Sequence, residues 1–253
     1  MSAGRDALIL VLAAEPEGTS PIGLDQEVRS IRLKLREAKY RDRIRVESYW
    51  ATRPDDVMQA LSELRPDIVH FSSHGTPASG LVLTSPTGHK AEVSGHAIAQ
   101  LFKTMGKGVK AVVLNTCFSV EQAQEVARHV GLAIGMRGGI SIEAAIKFSA
   151  SFYRGLGYGK SFFDSFEEGK LGLLMHGIAE DDTPVLCTRP DCNPRQVFLV
   201  EPEVVDSPPL PATESPEPAP IPKGGGISIN SVSSERDSFV IGEGSVSTGQ
   251  SAD

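Results

Sequence analysis

Three apolar runs constrain the fold of this chain more than any other feature: ALILVLA at Ala7–Ala13, DIVHFS at Asp67–Ser72 and VKAVVLN at Val109–Asn115. A strand with one face in water alternates apolar and polar residues; a strand covered on both faces does not, and that is the pattern of a buried parallel sheet. Helical patterns separate the runs. Leu24–Tyr40 carries Leu24, Val28, Ile31, Leu35 and Ala38 at three- and four-residue spacing, an amphipathic helix. Further helices are predicted over Pro54–Leu64, from a Ser94 cap to Thr104, and over Val120–Val130, Ile142–Leu156 and Ser161–Leu174. Strands are predicted at Ile44–Tyr49 and Leu132–Met136, with a hairpin of Gly80–Thr84 and Lys90–Val93, and Val185–Thr188 and Val197–Val200 closing the sheet. Alternating strands and helices give an α/β fold, a three-layer α/β/α sandwich on a mostly parallel sheet.

Two of the runs stop on reactive side chains. The first leads to His74 followed by Gly75, the second to Cys117 just before a helical pattern. In such sheets ligands bind at the carboxyl ends of the strands, and both residues belong there. A thiol needs a base to become a nucleophile near neutral pH, so the pair reads as a Cys–His dyad. The backbone amides of Gly75 and Cys117 are the natural donors for an oxyanion. His70, inside its strand, reads as a packing residue; His89, His96, His129 and His176 have no evident partner. Cys187 and Cys192 form a C-x4-C pair with no second pair to complete a zinc site. The chain has no GxxxxGK[ST], HExxH or GxSxG, and the glycine-rich GMRGG at Gly135–Gly139 is not a phosphate loop.

Charge is unevenly spread. Residues 201–253 hold nine acids and two bases, which accounts for the whole net charge of −7 and leaves the body neutral. Neither part suits a nucleic-acid partner. No apolar stretch reaches the length of a membrane span, and the N-terminus lacks the pattern of a signal peptide. Three cysteines make no disulfide framework, so a reducing, cytoplasmic compartment is expected. Residues 202–222 contain eight of the 17 prolines, and with Gly224–Gly226 they read as a linker over 202–226. The segment 227–253 is too short and polar for its own core; the alternation at Ile227, Ile229, Phe239 and Ile241 offers a strand with which to dock a protein partner.

The strings DIVHFSSHG, GLVL, VSGHAIAQLF, VKAVVLNTCFS and AIGMRGGISIEAAIKFSASFYRGLGYGKSFFDSF, in that order, resemble the CHAT peptidases, bacterial relatives of caspases and separases within the caspase–hemoglobinase fold. The resemblance runs from Ala7 to Val200, so a peptidase domain is expected over 1–201. It implies an endopeptidase acting on a protein substrate, with His74 as base, Cys117 as nucleophile and no cofactor or metal. It also implies a bacterial signalling or defence setting, with recruitment or activation by a partner. In basic-specific relatives an acid often stands two residues before the nucleophile, where this chain has Asn115; an Asp is expected in the GISIEAA loop, where it has Ile142. Both departures count against Arg or Lys at the cleaved position. Asn115, Met136, Arg137 and Glu143 are the candidate substrate-pocket residues. The alternative from another class is a catalytically silent interaction module on the same fold.

Overall fold

The computed structural model describes residues 6–76 and 80–202; the predicted linker beyond Pro202 and the predicted docking segment lie outside the described residues. In chain order the elements are β1 (Ala7–Ala14), α1 (Leu24–Arg36), a 3-10 turn (Arg41–Arg43), β2 (Ile44–Tyr49), α2 (Pro54–Leu64), β3 (Ile68–Ser73), β4 (Gly75–Thr76), β5 (Gly80–Thr84), β6 (Lys90–Val93), α3 (Gly95–Met105), β7 (Ala111–Asn115), α4 (Val120–Val130), β8 (Leu132–Met136), α5 (Ile142–Gly157), α6 (Phe162–Met175) and β9 (Pro184–Thr188). The main sheet has the order β2-β1-β3-β7-β8-β9. Every neighbouring pair is parallel except β8 with β9. The predicted hairpin forms β5 and β6, joined by β4 in a small antiparallel sheet.

The apolar runs are buried on both faces because helices cover both. Ile9 and Val11 of β1 pack with Val28 and Ile31 of α1 and Phe148 and Phe152 of α5. Leu10 and Leu12, pointing the other way, pack with Val57 and Leu61 of α2, Phe102 of α3 and Val126 of α4. Each such side chain contributes about 1.5–3 kcal/mol by leaving water. Ser94, Ser141 and Ser161 cap α3, α5 and α6 with their hydroxyls, accepting from Ala97, Ala144 and Asp164 amides. No described helix is long and apolar enough to cross a membrane.

Two expectations need correction. The first helix ends at Arg36 rather than Tyr40. The Tyr40 amide donates instead to the Gly157 carbonyl at 3.0 Å, which turns the chain so that the Tyr40 ring is buried. Val197–Val200 is not a strand: a single bridge joins Phe198 to Ser161. The carbonyls of Phe198 and Leu199 accept from the Lys110 ammonium at 3.1 Å each, a substitute for ladder partners, while Leu199 and Val200 are buried in the core.

Candidate active site

The register of the sheet brings the two reactive residues together. Ser72 of β3 pairs with Asn115 of β7, and side chains on one face recur every second residue, so His74 and Cys117 follow side by side past the carboxyl ends of those strands. Gly75 makes the juxtaposition close. A Cβ placed on it would lie 2.1 Å from the Cys117 carbonyl oxygen and 3.0 Å from the Cys117 nitrogen, so only a glycine fits against that peptide. The loop after β1 supplies the next part. His74 Nε2 lies 2.9 Å from the Ser20 carbonyl oxygen, and since a carbonyl only accepts, Nε2 carries the proton. In the neutral ring that leaves the Nδ1 lone pair open, and no described group takes it.

Cys117 sits in the turn between β7 and α4, not on the strand itself. Phe118 is held there at φ 56°, a left-handed conformation that costs a bulky residue energy and persists only when its surroundings fix it. They do so through the GMRGG segment. The Phe118 amide donates to the Gly138 carbonyl at 2.9 Å, the Ile140 amide donates to Cys117 Sγ at 3.5 Å, and the Ser119 hydroxyl accepts from the Met136 amide at 2.9 Å. The same hydroxyl reaches the Leu114 and Thr116 carbonyls at 2.9 and 2.7 Å.

His74 and Cys117 line one cavity of about 50 Å³, together with Asn115, Glu27, Ile22 and Ile142. Of the pocket candidates, Asn115 is the one at this cavity. Met136 is fully buried in the core below the sheet, and Arg137 lines a separate cavity of about 400 Å³ with Phe163 and Lys170. Glu143 is exposed and lines a third hollow beside Ile146. Cys187 is buried against the Val120 carbonyl, and burial pushes its thiol up to about 11. Among the described residues, no three His, Cys, Asp or Glu side chains group as metal ligands.

Beneath the cavity is a buried polar cluster that sequence reading missed. Glu27 of α1 is 3 % exposed and its carboxylate accepts from His70 Nε2 at 3.0 Å, from the Ser149 hydroxyl at 2.7 Å, and from the Ser72 hydroxyl and the Asn115 side-chain amide. His70 Nδ1 meets the Tyr153 hydroxyl at 3.0 Å. Burial works to raise the Glu27 carboxyl, but the His70 charge and the hydrogen bonds from His70, Ser72 and Ser149 outweigh it and hold the group below its ordinary value. Burial and then the Glu27 charge push the Tyr153 hydroxyl well above its ordinary value, so it stays protonated. Two signals pointed here: an acid at the apolar spacing Leu24–Glu27–Val28–Ile31, and a histidine inside an apolar strand.

The CHAT domain model matches residues 22–179. A "Probable protease" from Gillisia limnaea is 25 % identical over 156 residues, covering 60 % of this chain and 28 % of that protein. A "Roc-COR-CHAT protease" from an unknown prokaryotic organism is 24 % identical over 154 residues, covering 58 % and 14 %. The chain thus spans less than a third of the length of these curated relatives. Among solved structures, a secreted C11 cysteine protease from Bacteroides thetaiotaomicron, in complex with an irreversible peptide inhibitor, aligns with TM-score 0.50 at 12 % identity, covering 66 % of this chain and 58 % of that one. The Arg-specific cysteine proteinase gingipain R aligns with TM-score 0.54 at 12 % identity, covering 76 % and 47 %. Those likenesses show the fold, which is the caspase-like one. Since the family model takes in more than half of the residues, and takes in both strand ends that carry His74 and Cys117, the chain belongs to the CHAT domain family.

Proposed function

We propose that this chain is a cysteine endopeptidase with Cys117 as nucleophile and His74 as general base. The observation that carries the reading is the shared cavity: His74 is fixed by Ser20 with Nδ1 open, and the Gly75 backbone lies against the Cys117 peptide. His74 takes the thiol proton as Sγ attacks the peptide carbonyl carbon. The oxyanion is held by the Gly75 and Cys117 amides; the neighbouring Phe118 amide is committed to Gly138. His74 then protonates the leaving amine as the C–N bond breaks, and a water deprotonated by His74 hydrolyses the thioester. The Cys117 thiolate released in that last step takes back the proton from His74. The relatives named as proteases, and the cysteine proteases that share the fold, agree with this chemistry.

A proteome-derived peptide library, incubated with the protein and with Cys117→Ala, tests the reading by mass spectrometry. Cleavage sites that vanish in the variant support it; sites that persist refute Cys117 as the nucleophile, and an absence of cleavage by both favours the silent interaction module. Gly75→Ala is expected to keep the fold but lower kcat/KM by about 100-fold, because the new methyl group displaces the Cys117 peptide and about 1 Å of misplacement costs that much. A rate within about threefold of the parent would refute that account.

The organisation around the domain belongs to the same proposal. We read 1–201 as the peptidase domain, 202–226 as a linker and 227–253 as a segment that docks a separately encoded partner in a bacterial signalling or defence system in the cytoplasm. One relative joins Roc and COR to CHAT in its name, which agrees with a domain that works beside other modules. Deleting residues 224–253 is expected to leave peptide cleavage unchanged and to abolish partner recovery in a pull-down. Unchanged recovery would sink the docking role.

A further inference from the structure

We infer that the hollow between α1 and the end of β2 is an exosite, a docking point away from the dyad that takes an acidic segment of the protein substrate. The inference rests on the peptidase reading and adds to it the class of substrate. Charge is unevenly gathered within the body. Residues 1–200 are neutral in sum, yet the stretch 29–45 holds eight bases against two acids, so positive charge is concentrated on α1 and the approach to β2. Arg29, Arg32 and Arg36, three and four residues apart, share one face of α1 and line an open hollow of about 410 Å³. Lys34 is tied to Glu37 at 3.0 Å, whereas among the described residues Arg29 and Arg36 have no carboxylate partner. The hollow has an apolar centre. Trp50, the one tryptophan of the chain, is 51 % exposed; Leu33 is 48 % exposed, and both line the hollow with Val28. Ser48, two residues before Trp50, accepts from the Arg32 guanidinium at 3.1 Å, which ties this end of β2 to α1.

One exposed apolar side chain needs no explanation, but an indole and a leucine among three guanidinium groups make the anatomy of a binding hot spot: the ring supplies area and the arginines pair with carboxylates. The charge fixes the chemistry of the occupant. A basic or neutral segment would leave the arginines without counter-charge. A run of Asp and Glu with an apolar residue among them satisfies the arginines and covers Trp50. A nucleic acid would find a single ring to stack on, with Leu33, Val28 and the Asp25 carboxylate around it. Position makes the occupant part of a substrate. Tyr49 pairs with Leu12, Leu12 with Phe71 and Phe71 with Leu114, one row across four strands. Trp50 and Cys117 come just past the two ends of that row, at the carboxyl end of the sheet, and three strand spacings of about 4.8 Å separate those ends by about 14 Å. An extended peptide advances about 3.3 Å per residue, so about five residues bridge the cleaved bond and the hollow.

The test takes a peptide that the full-length protein cleaves and extends it, before or after the cleaved bond, by a Gly/Ser spacer of about five residues and then Asp-Glu-Leu-Asp-Glu; a twin ends in Asn-Gln-Leu-Asn-Gln. In one of the two positions the acidic member is expected to be cleaved with kcat/KM about tenfold above its twin, through KM, and the advantage is expected to fade at about 0.5 M salt because these charges are exposed. Arg29→Glu/Arg36→Glu is expected to erase the difference between the twins. Equal rates for the twins in both positions, or an advantage that survives this double substitution, would overturn the inference. A second measurement stands apart from the chemistry. Since Trp50 is the one tryptophan, its fluorescence reports on this hollow directly. Acetyl-Asp-Glu-Leu-Asp-Glu-amide is expected to shift the emission of Cys117→Ala to the blue, and to leave that of Cys117→Ala/Arg29→Glu/Arg36→Glu unchanged. The shift without any peptide cleavage by the parent would uphold the hollow as a docking point for acidic segments while the peptidase reading fails. No shift, or a shift given by an oligothymidylate and not by the acidic peptide, would overturn the assignment.

Discussion

His74→Ala is expected to lower kcat/KM for a cleaved peptide by about 10³-fold, the scale of a general base that serves in both half-reactions. Cys117→Ala should reduce it to background. The double variant should be no worse than Cys117→Ala alone, because the two groups act as one unit and their losses do not add. The structure indicates a further readout. His74 is only partly buried, and its ring is held by one hydrogen bond to the Ser20 carbonyl, so its removal leaves an open space in the cavity that Cys117 also lines. Added imidazole is expected to restore part of the activity of His74→Ala and none of that of Cys117→Ala. Full activity in His74→Ala would remove the histidine from the mechanism.

Glu27→Ala carries the largest expected loss of stability. Four donors, from His70, Ser72, Asn115 and Ser149, converge on this carboxylate from two strands and a helix. Removing it strands all four away from water, at a cost of about 3–5 kcal/mol, a large part of the ~5–15 kcal/mol that holds a domain together. Chemical denaturation at neutral pH measures it; a loss below about 1 kcal/mol would mean that the cluster is not a structural tie. The pH dependence has a definite sign. The folded-state pKa lies below the ordinary 4.5, so the contribution of Glu27 is fully present above that value and is lost as pH falls from 4.5 through the lower folded value. Glu27→Gln keeps the shape without the titration, so that part of the acid slope should be missing from its unfolding midpoint plotted against pH.

The strands, their mostly parallel arrangement and the positions of His74 and Cys117 at one sheet end were legible because they rest on local pattern: apolar runs, a following glycine, a helix start at Val120. The course of the chain after Arg36 and the coil at Val197–Val200 were not, because both are decided by distant groups, the Gly157 carbonyl and the Lys110 ammonium. Glu27 falls between these cases. An acid on the apolar stripe of a helix and a histidine within an apolar strand each look anomalous alone, and each explains the other only when the fold brings α1 over β3. Of the pocket candidates, Asn115 follows from its spacing to Cys117. The side chains of Met136, Arg137 and Glu143 lie outside that cavity although their neighbours Ile140 and Ile142 line it, which no local pattern disclosed.

The peptide of Cys117 is gripped by main chain: Gly75 presses on it from one side and Gly138 holds the next amide from the other. Part of the cavity wall comes from elsewhere, Ile22 from the loop after β1 and Ile142 and Ala145 from α5, beside Ile140, whose amide holds Cys117 Sγ. Cys117 and these three wall residues therefore stand on separate supports. Substitution of Ile22, Ile142 or Ala145 is expected to reshape the cavity while the Cys117 peptide stays in place.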